Sequence, residues 1–213
     1  MTDYNRLRWD ELASISEFVS TLSDEQWNQN TLCEGWRVRD VISHMTLGYT
    51  TPMLPLIGML ARYRFNVPKA SAAGSVEYGS EHSPAQLKAV FESIHRDHVR
   101  KGIAKVIPTK EGLLDHVVHH QDMRRPLGLP RHIPEERLVA ALGVAPGING
   151  FVGSKRRAAG LRLVATDVDW SHGDGPEVRG SGEAVLLALT GRSVVLSELA
   201  GEGVVTLRDR LAA

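Results

Sequence analysis

The stretch EGLLDHVVHHQDMRRPLG, residues 111–128, sets three histidines and one aspartate between Asp115 and His120. Its apolar residues Leu113, Leu114, Val117 and Val118 recur at helical spacing, and Pro126, Leu127 and Gly128 supply a stop. On a helix, side chains four apart stand one above the other, so Asp115 pairs with His119 and His116 with His120. Either pair has the spacing that chelates one metal ion. At about 100° per residue, Asp115 and His119 fall past one edge of the apolar stripe and His116 and His120 past the other. Periodicity leaves both pairs open.

The sequence on either side reads as helices. Leu7, Leu12, Ile15, Phe18, Val19 and Leu22 make one stripe, and Ser23 is placed to cap a short turn with Glu25 behind it. Val38, Val41, Ile42 and Met45 make another stripe, flanked by His44, three residues after Val41. His44 is the natural third ligand, and three protein ligands with an open position is the arrangement of a catalytic metal site. Residues 50–82 read as a long irregular region, whose apolar patch PMLPLIGMLARY either walls a substrate pocket or caps the bundle. SPAQLKAVFESIHRDHVRKG is a helix with Ser83 as cap, Pro84 first and Gly102 as stop, and IPEERLVAALGV follows as another. Residues 1–146 are therefore expected to form a four-helix bundle.

After Gly147 the texture changes. PGINGFVGSKRRAAG is a glycine-rich boundary, LRLVATDVDW alternates like a strand, and GDGPEVRGSG is a turn leading into another. EAVLLALTGR, VVLSELAG and GVVTLRDRL are short helices. Residues 147–213 thus form a small α/β domain, and the expected class is α+β.

Composition narrows the function. Among 213 residues, 25 acidic side chains balance 25 basic ones, so no net field draws the chain to nucleic acid or an anionic membrane. Cys33 is the single cysteine, which excludes an internal disulfide and fits a reducing, cytoplasmic setting. The opening MTDYNRLRWDEL lacks a signal pattern, and no apolar run is long enough to span a bilayer. There is no G-x-S-x-G elbow, P-loop or dinucleotide fingerprint. Cys33 reads as a small buried hydrophobe, Trp36 and Gly35 as packing, His95 and His98 as a solvated face, and Asp122 and Arg124 as helix-end anchors.

TLCEGWRVRDVISHM, DHVVHHQDMRRPLGLP and the tail GLRLVATDVDW…EVRGSGEAVLLALTGR…LAGEGVVTLRDRL together resemble the mycothiol-dependent maleylpyruvate isomerase family of DinB-like metal-binding helix bundles. The resemblance implies a metal triad of His44, Asp115 and His119, with His116 and His120 as alternates. It departs from the family pattern in carrying Asp115 where glutamate is usual and His120 where glycine is usual. Two imidazoles and a carboxylate without a thiolate suit zinc, with nickel, iron and manganese also open. The implied cosubstrate is a small thiol, mycothiol, whose sulfur attacks a small electrophile in a cis–trans isomerisation or an S-transfer. Arg192, in LTGRS, resembles a C-terminal arginine that receives a substrate carboxylate. The alternative is a non-catalytic metal- or ligand-binding bundle; either is expected as a monomer or homodimer without nucleic-acid or membrane partners.

Overall fold

The stripe Leu7, Leu12, Ile15, Phe18 and Val19 is buried along helix α1 (Tyr4–Ser20) in the computed structural model, which describes residues 2–149 and 152–212. The chain divides into two compact units: Asn5–Gly112 with His119–Arg131, and Met1–Tyr4 with Leu113–Val118 and His132–Ala213. The first is a helical bundle. After α1 come α2 (Asp24–Trp27), α3 (Val38–Thr50), α4 (Met53–Arg62), α5 (Val67–Glu81) and α6 (Pro84–Arg96), and the ends of α7 (Thr109–Arg124) complete it. Trp9, Leu12, Phe18, Trp27, Val41, Ile42, Met45, Phe91 and Met123 share one apolar core.

Short-range chemistry sets the helix starts. Ser23 caps α2 by accepting from the Gln26 amide at 3.3 Å, and the Gln26 side chain returns to the Ser23 amide at 2.9 Å. Gln26, not Glu25, therefore closes the capping box. Ser83 and Gln86 repeat the arrangement on α6. At the start of α3, the buried Asp40 carboxylate accepts from the Arg37 amide and, at 2.9 and 3.0 Å, from its guanidinium.

Two expectations are corrected. The region 50–82 is not irregular: it folds as α4 and α5. Its Gly and Ser content reflects close approach of helices, because a Cβ on Gly79 would lie 2.5 Å from Asp40 Oδ1 and one on Gly74 2.7 Å from Met59 Sδ. Helix α4 buries none of its residues, and Met53, Leu54 and Ile57 stand exposed. Gly102 does not stop α6, which ends at Arg96, with His98 taking the left-handed conformation (φ 49°) and the Val99 amide reaching back to the Ile94 carbonyl. The His98 ring stacks on Trp9 at 4.5 Å.

The second unit contains α8 (Glu135–Val144), α9 (Ser154–Ala158), β1 (Arg162–Ala165), β2 (Ser171–His172), β3 (Glu177–Gly180), α10 (Gly182–Leu189) and α11 (Gly203–Ala212). Gly150 and Phe151 of the glycine-rich stretch lie outside the described residues. The strand order is β2-β1-β3, with β1 antiparallel to β2 and parallel to β3, Leu163 opposite Val178. Apart from Glu183, helix α10 is apolar and buried on every side. Its start is fixed by Asp167 accepting from the Gly182 amide at 2.7 Å and Ser181 from the Ala184 amide at 3.2 Å. Among the described residues, no helix is long and apolar enough to cross a membrane.

The bundle core makes a direct prediction. Phe91 is fully buried, so Phe91→Ala should cost about 3–5 kcal/mol. Leu54→Ala, at a side chain left 80 % exposed, should stay within about 0.5 kcal/mol. Urea unfolding followed by circular dichroism checks both.

Candidate metal centre

Helices α3 and α7 bring the rings of His44 and His119 to 5.1 Å, nearly perpendicular at 70°. Asp115 stands one turn before His119 on the same helix, and the ligand atoms of His44, Asp115 and His119 all lie within 4.8 Å of one another. Two imidazoles and a carboxylate at that spacing suit a divalent ion of the zinc, nickel, iron or manganese kind. The Asp115 carboxylate is 40 % exposed, which keeps this edge of the cluster open to solvent.

Each histidine is anchored through its other nitrogen. His119 Nδ1 lies 2.9 Å from Oδ2 of the fully buried Asp122, and His44 Nδ1 lies 3.0 Å from Ser71 Oγ on α5. A carboxylate or hydroxyl behind the ring is the usual arrangement for a metal-ligating imidazole. The Trp36 ring lies 5.2 Å from His44 and 6.1 Å from His119. It also lines an open cleft of about 640 Å³, with Arg62, Tyr63, Val76, Glu77 and Ser80. The Cys33 thiol donates to Asp122 Oδ2 at 3.1 Å and sits 3.6 Å from His119 Nδ1, so Cys33, His119 and Asp122 form a second group of possible ligands. Sequence reasoning placed Cys33 and Asp122 in packing and anchoring. The available signal was the three-residue spacing of His119 and Asp122, which puts the carboxylate on the ring's own face of the helix.

His120 faces elsewhere. It is fully buried, with Nδ1 2.8 Å from Glu11 Oε1 and Nε2 accepting from Arg124 Nε at 2.8 Å. Arginine is a donor only, so the ring proton is on Nδ1 and is donated to Glu11. Both nitrogens are thereby engaged within the protein, and His120 belongs to neither ligand group. His116 is buried beside Asp115, Nδ1 to Oδ2 3.3 Å, and belongs to neither ligand group. Arg192 opens the 3₁₀ turn Ser193–Glu198 of the second unit and donates to the Thr190 carbonyl at 2.5 Å.

Fold and cluster together define a helical-bundle protein with a small α/β part and a candidate His–His–Asp metal centre. Residues 8–106 match the family model described as the mycothiol maleylpyruvate isomerase N-terminal domain. His44 lies inside the matched segment; Asp115 and His119 lie beyond it. Two solved structures are similar over 95 % of this chain and 96 % of theirs. One is the mycothiol-dependent maleylpyruvate isomerase, at 16 % identity, and the other a histidine-to-alanine mutant of it, at 17 %, each with a TM-score of 0.56. At such identity the likeness speaks for the fold. No curated protein matches the chain.

The buried charges beside the centre predict an acid response. Burial alone would raise the Glu11 carboxyl, but the His120 hydrogen bond and the Arg131 charge outweigh it and bring it down to about 2. Burial, reinforced by Arg131 and Arg124, lowers His120 to about 4 against the pull of Glu11. Both folded-state values lie below the unfolded ones, so the unfolded chain binds more protons in each window. Stability should fall as pH drops from about 6.5 to 4 through His120, and again from about 4.5 to 2 through Glu11. Glu11→Gln should flatten the lower limb and destabilise at neutral pH by about 3–5 kcal/mol, because it leaves Arg131 without its buried countercharge. Urea midpoints measured across pH test both statements.

Proposed function

We propose that this protein is a metal-dependent enzyme that uses a low-molecular-weight thiol, mycothiol by the likeness of residues 8–106, as a maleylpyruvate-type cis–trans isomerase or a thiol S-transferase. The observation that carries the reading is the convergence of His44, Asp115 and His119 ligand atoms within 4.8 Å, with a polar anchor behind each imidazole. The match of residues 8–106 to the isomerase N-terminal domain supplies the thiol chemistry.

A divalent cation held by His44, Asp115 and His119 would favour the thiolate form of a bound thiol. Asp122 and Ser71 orient the two imidazoles, and Trp36 lies beside both rings and lines the neighbouring open cleft. The thiolate attacks an electrophilic carbon. In an isomerisation the sulfur adds to an activated carbon–carbon double bond, rotation follows about the new single bond, and elimination returns the thiol. In an S-transfer the carbon–sulfur bond is kept, and the acceptor either expels a leaving group with its electron pair or takes the thiol's proton on the adjacent carbon. Arg192 is the proposed cation for a substrate carboxylate, supported by its place in LTGRS.

The competing reading, a non-catalytic bundle with its fourth metal position filled by a histidine of α7, loses one of its two candidates, because His120 is committed to Glu11 and Arg124. Elemental mass spectrometry on untagged protein should find near one divalent ion per chain. His44→Ala and His119→Ala should lose it, and a His116→Ala variant should keep it. The zinc-loaded protein given mycothiol and maleylpyruvate should form the trans product, at a rate that falls to background in His119→Ala. Failure to take up zinc, nickel, iron or manganese would overturn the proposal.

A further inference from the structure

We infer that Cys33 and Asp122 are positioning residues that hold the His119 ring with its proton on Nδ1 and its lone pair on Nε2. The inference rests on the metal reading above, but the tautomer it assigns is a property of the metal-free chain.

Three observations converge on it. The Asp122 side chain is fully buried, and its Oδ2 receives two groups at hydrogen-bond distance, His119 Nδ1 at 2.9 Å and the Cys33 thiol at 3.1 Å. An ionised carboxylate accepts only, so the imidazole proton must sit on the nitrogen that faces it. A fully buried carboxylate also needs more than one donor, and the thiol supplies the second. The segment TLCEGW then explains itself as a latch. The Leu32 amide donates to the Asp122 carbonyl at 3.0 Å, so backbone and thiol both tie this segment to the same residue of α7. Thr31 Oγ1 accepts from the Cys33 amide at 3.1 Å, the Thr31 amide donates to the Trp36 carbonyl at 2.9 Å, and the Trp36 amide donates to the Cys33 carbonyl at 3.0 Å. Gly35 closes the turn in the left-handed region, φ 75°, which an L side chain resists. One short turn therefore delivers the thiol to Asp122 and the indole to His44 and His119.

The consequence is that Cys33 acts through Asp122 rather than as a nucleophile or a ligand. Partners that orient a metal-bound imidazole are worth about 10–100-fold in metal affinity. Asp122→Ala should weaken zinc binding by about that factor, Cys33→Ala by less, and Cys33→Ser, which keeps a donor, should restore affinity to near wild type. A merely structural role would lower stability without moving the tautomer. Long-range ¹H–¹⁵N correlation spectra of the metal-free protein therefore decide the matter: wild type should show His119 protonated on Nδ1, and Asp122→Ala should move the proton to Nε2 or to a mixture.

Nε2 protonation of His119 in the wild type would overturn the inference even if Asp122→Ala fails to fold. So would zinc binding abolished in Cys33→Ala as fully as in His44→Ala, since that makes Cys33 a ligand. If the wild type binds no zinc while the tautomer and its dependence on Asp122 are as stated, the metal reading fails and the positioning role stands.

Discussion

The pairing of Glu11 with His120 fixes the rotation of α7, and the arrangement of the centre follows from it. Glu11 is fully buried on α1, where an unpaired charge would cost several kcal/mol. It is satisfied by the Nδ1–H of His120 at 2.8 Å and the Arg131 guanidinium at 2.6 Å, while Arg131 Nε also holds Gln121. With His120 committed to that side, the neighbouring residue on the helix points about 100° away, which is where His119 meets His44. The ion cluster adds little net stability of its own, because desolvation offsets most of the Coulomb gain. Its effect is on register: a slipped helix would leave Glu11 and Arg131 as unpaired buried charges.

The proposed chemistry then depends on what stands behind each ligand. His44 leans on Ser71 and His119 on Asp122, which orients both rings, and Trp36 lies beside both. The Asp115 side chain is 40 % exposed, against 12 % for His119. The bundle carries the anchoring residues on α3, α5, α7 and the turn before α3, all elements with good caps or buried faces. Sites built on such elements are better fixed than sites on loops.

Much of this was legible in the sequence, for physical reasons. The stripes of α1 and α3, the Ser83–Pro84 start of α6, the strand alternation of 162–165 and the apolar helix after Ser181 all express local periodicity and capping. Where the reading failed, long-range packing decided. Glycines that look like a loop in 67–81 are contact points of α5 with Asp40 and Met59, which no local pattern reveals. Periodicity left both histidine pairs of α7 open, and Glu11, the partner that engages His120, is 109 residues away. Cys33 and Asp122 were undervalued for the same reason: their meeting with His119 spans 86 and three residues, and only the shorter of these is visible as helix spacing.

X-ray absorption at the zinc edge, on protein loaded with one equivalent of zinc in thiol-free buffer, tests the central claim most directly. A centre on His44, Asp115 and His119 predicts only nitrogen and oxygen neighbours, at about 2.0–2.2 Å, with the outer scattering of two imidazoles. A sulfur neighbour at about 2.3 Å would place the ion on Cys33, His119 and Asp122 instead and contradict the account.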